Sequence, residues 1–249
     1  MKTIKRFNVL AFLTTLLCGF AALSVSAQTK TVHHPIKRRP MSSTGSLLHP
    51  ASLHATAPAT YDVKFHTTKG DFTVQVTRVW APNGADRFYN LVEHHFYDNA
   101  TLFRVVAGFV VQFGIPADPR YGKIWANANI KDDPVKESNL RGYITYAQTS
   151  APNSRSTQVF INFGDNARLD SMGFAPFGKV IEGMSVVESF YGGYADQPTG
   201  MQDQITNQGN AFLEKNFPKL DKILTARIAP AAPAHPATHP PAHPKPAGH

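Results

Sequence analysis

Apolar and polar residues alternate over several short stretches of this chain, and a period of two marks strands. YDVKFHTT and DFTVQVT flank Lys69-Gly70, the layout of a β-hairpin. The period then changes. After Pro82, NGADRFYNLVEHH sets Ala85, Phe88, Leu91 and Val92 on one face of a helix. GYITYAQT, QVFINFG and PFGKVIEG read as further strands, MSVVESFY as a second helix and KILTARIA as a last strand. No internal repeat is visible. Many short strands with two helices predict a mainly β fold, a closed antiparallel barrel.

The two ends follow other rules. Lys2, Lys5 and Arg6 precede a mostly apolar run from Val9 to Leu23, and Val25-Ser26-Ala27 supplies small residues before Gln28. This three-part pattern predicts a signal peptide over 1–27, cleaved after Ala27. The apolar run is short of the roughly 20 residues that span a bilayer. No integral span is therefore expected after cleavage, and the protein is expected in the periplasm or secreted. Residues 28–60 are rich in Ser, Thr, His, Ala and Pro without an apolar period, and read as a disordered linker. The proline-dense end, 229–249, reads as an extended, disordered tail. It repeats His before Pro at His235, His239 and His243. In an extended proline helix, four residues advance about 12 Å, too far for shared coordination of one ion unless the tail bends. A spacer is the expected role, and no metal is assigned to the chain. The remaining part, 61–228, is expected to form one domain.

Composition narrows the chemistry. The formal charge of +8 becomes 8 − 3 = +5 once the three basic residues of the leader are removed. That modest excess argues against nucleic acid as a partner. The single cysteine, Cys18, lies in the leader, and Leu16-Leu17 before it make a poor lipidation signal. The mature chain would have neither a disulfide nor a cysteine nucleophile. No histidine lies between His95 and His235, so a Ser-His-Asp arrangement within the central motifs is unavailable. Asp132-Asp133 is followed by Pro134 and reads as a turn. His94-His95 are adjacent, so on a helix they point apart and suit a metal poorly.

The segment LFRVVAGFVVQFG, 102–114, stands out. It sets one arginine, Arg104, in an apolar run, where burial is costly unless the guanidinium meets defined acceptors. Alternation puts Phe103, Val105 and Ala107 on one side and Leu102, Arg104 and Val106 on the other. Arg104 and Gln112 could share a concave surface with Phe109 as its floor. Taken singly, Phe109 and Phe160 read as core, Gln112 as a strand-end residue and Arg104 as half of a structural ion pair.

Three blocks together give a sharper reading. LFRVVAGFVVQFG resembles the F-x-R-V-I-x-G-F-x-x-Q-x-G segment of the cyclophilins, which are peptidyl-prolyl cis-trans isomerases. PNSRSTQVFIN (152–162) resembles their P-N-x-x-x-S-Q-F-F-I run, and FAPFGKVIEGMSVVE (174–188) their V-F-G-x-V-x-x-G-M-x-V-V-x run. The blocks occur in family order and spacing over about Tyr61 to Ile228. The resemblance implies an eight-stranded barrel capped by two helices, with Arg104 and Gln112 as the catalytic pair. It assigns Phe109, Phe160, Leu169 and Phe174 to an apolar proline pocket and Gln158 to the groove, with backbone binding by Ala147, Gln148 and Thr149. Phe177 matches a core phenylalanine. Ala107, Val110, Thr157-Gln158-Val159 and Arg168 depart from the common pattern; many eukaryotic members carry a tryptophan where Arg168 stands. These departures bear on substrate preference.

The implied reaction is rotation about X-Pro bonds during folding of exported proteins. It needs no cofactor, and its partners would be proline-containing, unfolded or exported polypeptides met by a monomer. PKLDKILTARI looks like the last strand of an exported bacterial subgroup. The alternative is a non-catalytic proline-binding or chaperone module using the same groove.

Overall fold

In a computed structural model, residues 47–230 are described. Residues 1–27, the linker up to residue 46 and the tail from residue 231 lie outside them. Among the described residues, no helix is long and apolar enough to cross a membrane.

Eight strands form one antiparallel sheet: β1 (Thr60–Thr67), β2 (Gly70–Thr77), β3 (Arg104–Val106), β4 (Val110–Phe113), β5 (Tyr143–Tyr146), β6 (Val159–Asn162), β7 (Pro176–Glu182) and β8 (Ile223–Ile228). Their order is β3-β4-β6-β5-β7-β2-β1-β8. The sheet curls, and its ends meet through an isolated bridge between Thr101 and Lys222, just before β3 and β8. β1 and β2 pair from Thr67↔Gly70 to Thr60↔Thr77, the hairpin that the alternation anticipates. Tyr61, Val63 and Phe65 of β1 turn inward, as do Phe72, Val74 and Val76 of β2.

Five α-helices accompany the sheet: α1 (Pro82–Glu93), α2 (Pro119–Trp125), α3 (Met184–Glu188), α4 (Gln202–Gln208) and α5 (Asn210–Asn216). Only α1 and α3 were expected. The amphipathic face of α1 is as read: Ala85, Phe88, Leu91 and Val92 are buried. Phe88 packs on Phe65, Tyr97 and Phe177, which fixes α1 against β1 and β7. The start of α1 is capped from afar, since Asp133 accepts from the amides of Asn83 and Gly84 at 3.0 and 2.8 Å. A carboxylate there satisfies free amides and meets the positive end of the helix dipole. Asp132-Asp133 is thus structural, although 131–134 runs without the turn expected there.

Two regions differ from the sequence pattern. Of the expected linker, residues 47–60 are described, and Leu47, Leu53 and Ala57 are buried in the main core. Trp125 Nε1 donates to the carbonyl of Leu47 at 2.8 Å, and Asn90 bonds both main-chain groups of Ala55. The second region is 189–220. Its sparse apolar residues Ile205, Leu213, Phe217 and Leu220 form a small separate core with Phe103 and Ile115. A polar sequence with wide apolar spacing hides such helices, because each buries only one or two side chains.

Candidate functional site

Arg104 opens β3 and Gln112 lies directly opposite on β4, so the ladder sets the two side chains on one face. The alternation read from sequence holds over 104–106 only. Leu102 is fully buried ahead of the strand, and Ala107 is exposed in the turn to β4, where Gly108 has φ +70°. β4 pairs β6, bringing Gln112 opposite Phe160. The sheet thus converts a separation of 160 − 112 = 48 positions into neighbouring side chains.

Val110, Phe160 and Leu169 form a distinct apolar cluster, with Phe109, Ala147 and Phe174 packed against it. Phe160 and Phe174 meet edge to face with ring centres 5.8 Å apart. These residues, with Arg104, Gln112, Gln148, Thr199 and Gln202, line a cavity of about 230 Å³. A second hollow of about 310 Å³ adjoins it, sharing Gln112, Ala147, Gln148 and Gln202 and adding Thr149 and Gln158. Every residue the sequence nominated therefore lies on one continuous groove. Phe177 lies in the core against Phe88 and Tyr146.

Arg104 is the only cationic side chain lining the smaller cavity. Its side chain is 22% exposed, enough to be reached and little enough to be largely desolvated. Nη1 donates to Gln112 Oε1 at 3.1 Å, and Nε donates to Asp196. The guanidinium carbon stands 5.4 Å above the ring of Phe109. Gln112 passes the row on, its Nε2 donating to Gln158 Oε1 at 2.9 Å, and Gln158 Nε2 donates to Gln202 Oε1 at 2.9 Å. Among the described residues, Nη2 of Arg104 has no hydrogen-bond acceptor. Arg168 covers Phe109 from the rim, 4.8 Å from the ring centre, and holds a positive charge at the lip.

The facing wall is braced by Arg155, whose side chain is 3% exposed. Its Nε donates to Gln148 Oε1 at 3.0 Å and its Nη2 to the carbonyl of Gly173, beside Phe174. Burial lowers its pKa, and Asp132 at 3.6 Å opposes the shift. The 3-10 turn Ala167–Met172, which carries Leu169, is tied down by Asp170. Ser138 and Asn139 donate to that carboxylate. Burial pushes the Asp170 carboxyl up, but these hydrogen bonds outweigh it and hold the group below its usual value. Along 147–149, the amide of Ala147 is taken by the Gln158 carbonyl and that of Thr149 by Ser154 Oγ. Only the Gln148 amide is without an acceptor among the described residues.

Asp196, Thr199 and Gln202 were not anticipated. They come from 189–202, and Asp196 is 92 positions from the arginine it meets. Pro198 near a helix start and Gly209 at a helix end mark helical segments in the sequence. No local signal shows what those segments touch.

The arrangement suits a neutral reaction on a peptide: an apolar hollow, one fixed cation and hydrogen-bonding amides. Comparison with known proteins agrees. Residues 62–210 match the family described as cyclophilin type peptidyl-prolyl cis-trans isomerase. A peptidyl-prolyl cis-trans isomerase of Acinetobacter baylyi is 34% identical over 165 residues, covering 63% of this chain and 84% of that one. Peptidyl-prolyl cis-trans isomerase B of Escherichia coli is 30% identical over 154 residues, covering 59% and 93%. Among solved structures, a cyclophilin type isomerase of Cryptosporidium parvum superposes with a TM-score of 0.52 at 19% identity, covering 70% of this chain and 99% of that one, a likeness of fold.

Proposed function

The chain belongs to the cyclophilin-type peptidyl-prolyl cis-trans isomerase family, and from that premise we propose that it rotates X-Pro bonds of exported polypeptides in the cavity beside Arg104. The observation that carries the site is the convergence of an apolar hollow and a partly buried, fixed guanidinium on one wall.

The barrier to rotation, about 18–20 kcal/mol, comes from delocalisation of the nitrogen lone pair into the carbonyl. At the midpoint of rotation the lone pair is localised and the nitrogen becomes a hydrogen-bond acceptor. Phe109, Phe160, Leu169 and Phe174 hold the prolyl ring, with about 25 cal/mol per Å² of buried apolar surface to draw on. Arg104 donates from Nη2 of its planar guanidinium. Its bond is stronger to the localised lone pair than to the planar amide, and only that difference raises the rate. Gln112 fixes the donor, so no reorganisation is needed as the bond twists. The Gln148 amide and the neighbouring carbonyls engage the flanking backbone.

Export enters on other grounds. The basic start, apolar run and Val25-Ser26-Ala27 support a cleaved leader and a periplasmic or secreted enzyme of an exported bacterial subgroup. The test of the site is isomerisation of an Ala-Pro peptide by wild type and Arg104→Ala, with circular dichroism to verify folding. Loss of one charge-assisted bond, about 1.5–3 kcal/mol, slows turnover by about one to two orders of magnitude. Full activity in folded Arg104→Ala removes Arg104 from the mechanism; proline-peptide binding without turnover in wild type makes the groove a binding module.

A further inference from the structure

The row of side chains that fixes Arg104 does not end at Gln112. It runs Arg104–Gln112–Gln158–Gln202, and Arg104 itself turns back to Asp196. Asp196 and Gln202 flank a single 3-10 turn, Gln197–Met201. With the chain between Asp196 and Gln202, the hydrogen bonds therefore close a ring, entered and left through one strap packed beside β3. From this geometry we infer that Asp196 is a positioning residue for the catalytic arginine: it locks the guanidinium from the side opposite Gln112. The inference rests on the reading of Arg104 given above.

Three observations support it. First, the two anchors take different nitrogens, Nε for Asp196 and Nη1 for Gln112, and belong to elements that share no strand pairing. One anchor leaves a planar fork free to swing about its remaining torsions; two on different elements fix its plane and leave Nη2 for substrate. Second, the strap is not a slack loop. Tyr194 packs on Phe217 with ring centres 5.1 Å apart, within the small core that includes Phe103, the residue preceding Arg104. The amide of Tyr191 is held by Asp221 at 2.7 Å. Third, Ala195, next to Asp196, has φ +46°, a conformation that costs a non-glycine residue free energy. The chain accepts that strain at the position that sets the carboxylate on Arg104.

A carboxylate also neutralises the charge of its partner, so the pair could in principle restrain Arg104. The geometry favours fixing, because Nη2 and the cavity face stay open. The variants are Asp196→Ala, which removes the anchor, and Asp196→Asn, which keeps an acceptor oxygen. Each is made in wild type and in Arg104→Ala, and kcat and KM are measured on a proline peptide, with thermal melting to show the fold. Asp196→Ala should lower kcat about tenfold with KM nearly unchanged, since positioning acts on the transition state. Asp196→Asn should recover most of that loss. In the Arg104→Ala background, Asp196→Ala should cost nothing further, because its effect passes through the guanidinium. An unchanged or raised kcat in Asp196→Ala, a change confined to KM, or an additional loss without Arg104 would overturn the inference while leaving the isomerase standing. Full activity in Arg104→Ala would overturn both.

Discussion

At the scale of single residues, the site turns on one cation among apolar and amide groups. On the proposed mechanism an arginine is needed rather than a lysine, because the guanidinium meets Gln112 and Asp196 and keeps a third nitrogen for the substrate. An ammonium is a point charge without a planar fork. Arg104→Lys should therefore keep the fold yet lose about tenfold or more in kcat, since one charge-assisted bond is misdirected. Phe109→Ala should act differently. Phe109 carries two guanidinium groups over its ring and walls the apolar hollow. Its removal should raise KM and lower kcat/KM by about tenfold, the scale of one large apolar contact. Steady-state kinetics on the same peptide separate the two cases; a kcat loss confined to the phenylalanine variant would contradict the assignment of roles.

At the scale of elements, the groove depends on short pieces held by polar ties. The turn Ala167–Met172 is anchored by Asp170, whose carboxyl is held below its usual value. A lowered folded-state pKa means that protons bind the unfolded chain more readily. The stabilisation is present above the unfolded carboxyl value of about 3.9 and is lost as pH falls through the folded one. Asp170→Asn should melt at a lower temperature than wild type at about pH 6, and the gap should close as pH falls through the lowered folded-state value. A gap independent of pH would show that the charge of Asp170 does not matter. A second tie is steric. Gly122 in α2 lies against α4, and an added Cβ would stand 2.7 Å from the Thr206 carbonyl. Gly122→Ala should destabilise by about 1–3 kcal/mol as the helices separate. It should also raise KM, because α2 and α4 both wall the larger hollow. Unchanged denaturation midpoint and kinetics would show that the helices yield without cost.

At the scale of the whole molecule, the folded body is flanked by segments of another character. The leader pattern leads to a definite expectation. Intact-mass measurement of protein recovered from the envelope or medium should give a chain beginning at Gln28. A mass retaining Met1 to Ala27 would exclude cleavage there. The body itself is built so that distant segments meet: β3 and β8 lie at opposite ends of the strand order yet join through Thr101 and Lys222. Within it the strands were largely legible. Alternating segments keep their faces wherever one side packs on the core, and β1, β2 and α1 lie within a residue or two of where periodicity puts them. GYITYAQT was legible only in part. Its strand stops at Tyr146: the Ala147 amide still bonds in register to the Gln158 carbonyl, but the Thr149 amide turns to Ser154 Oγ.

What the sequence determined alone was whatever depends on neighbours in the chain. Period-two and helical patterns specify which face of an element is apolar, and a family's motif order carries the groove residues Arg104, Phe109, Gln112, Phe160 and Leu169 as a set. What only the tertiary structure decided was partnership across long separations. Asp196 on Arg104, Gln202 on Gln158, Asp133 on the start of α1 and Leu47 under Trp125 all join residues tens of positions apart. A hydrogen bond needs donor and acceptor within about 3 Å, and its two residues carry no local mark of each other. Apolar burial leaves a period along the chain because every turn of an element must face the same core. A single polar contact occurs once, and only the folded chain specifies with whom.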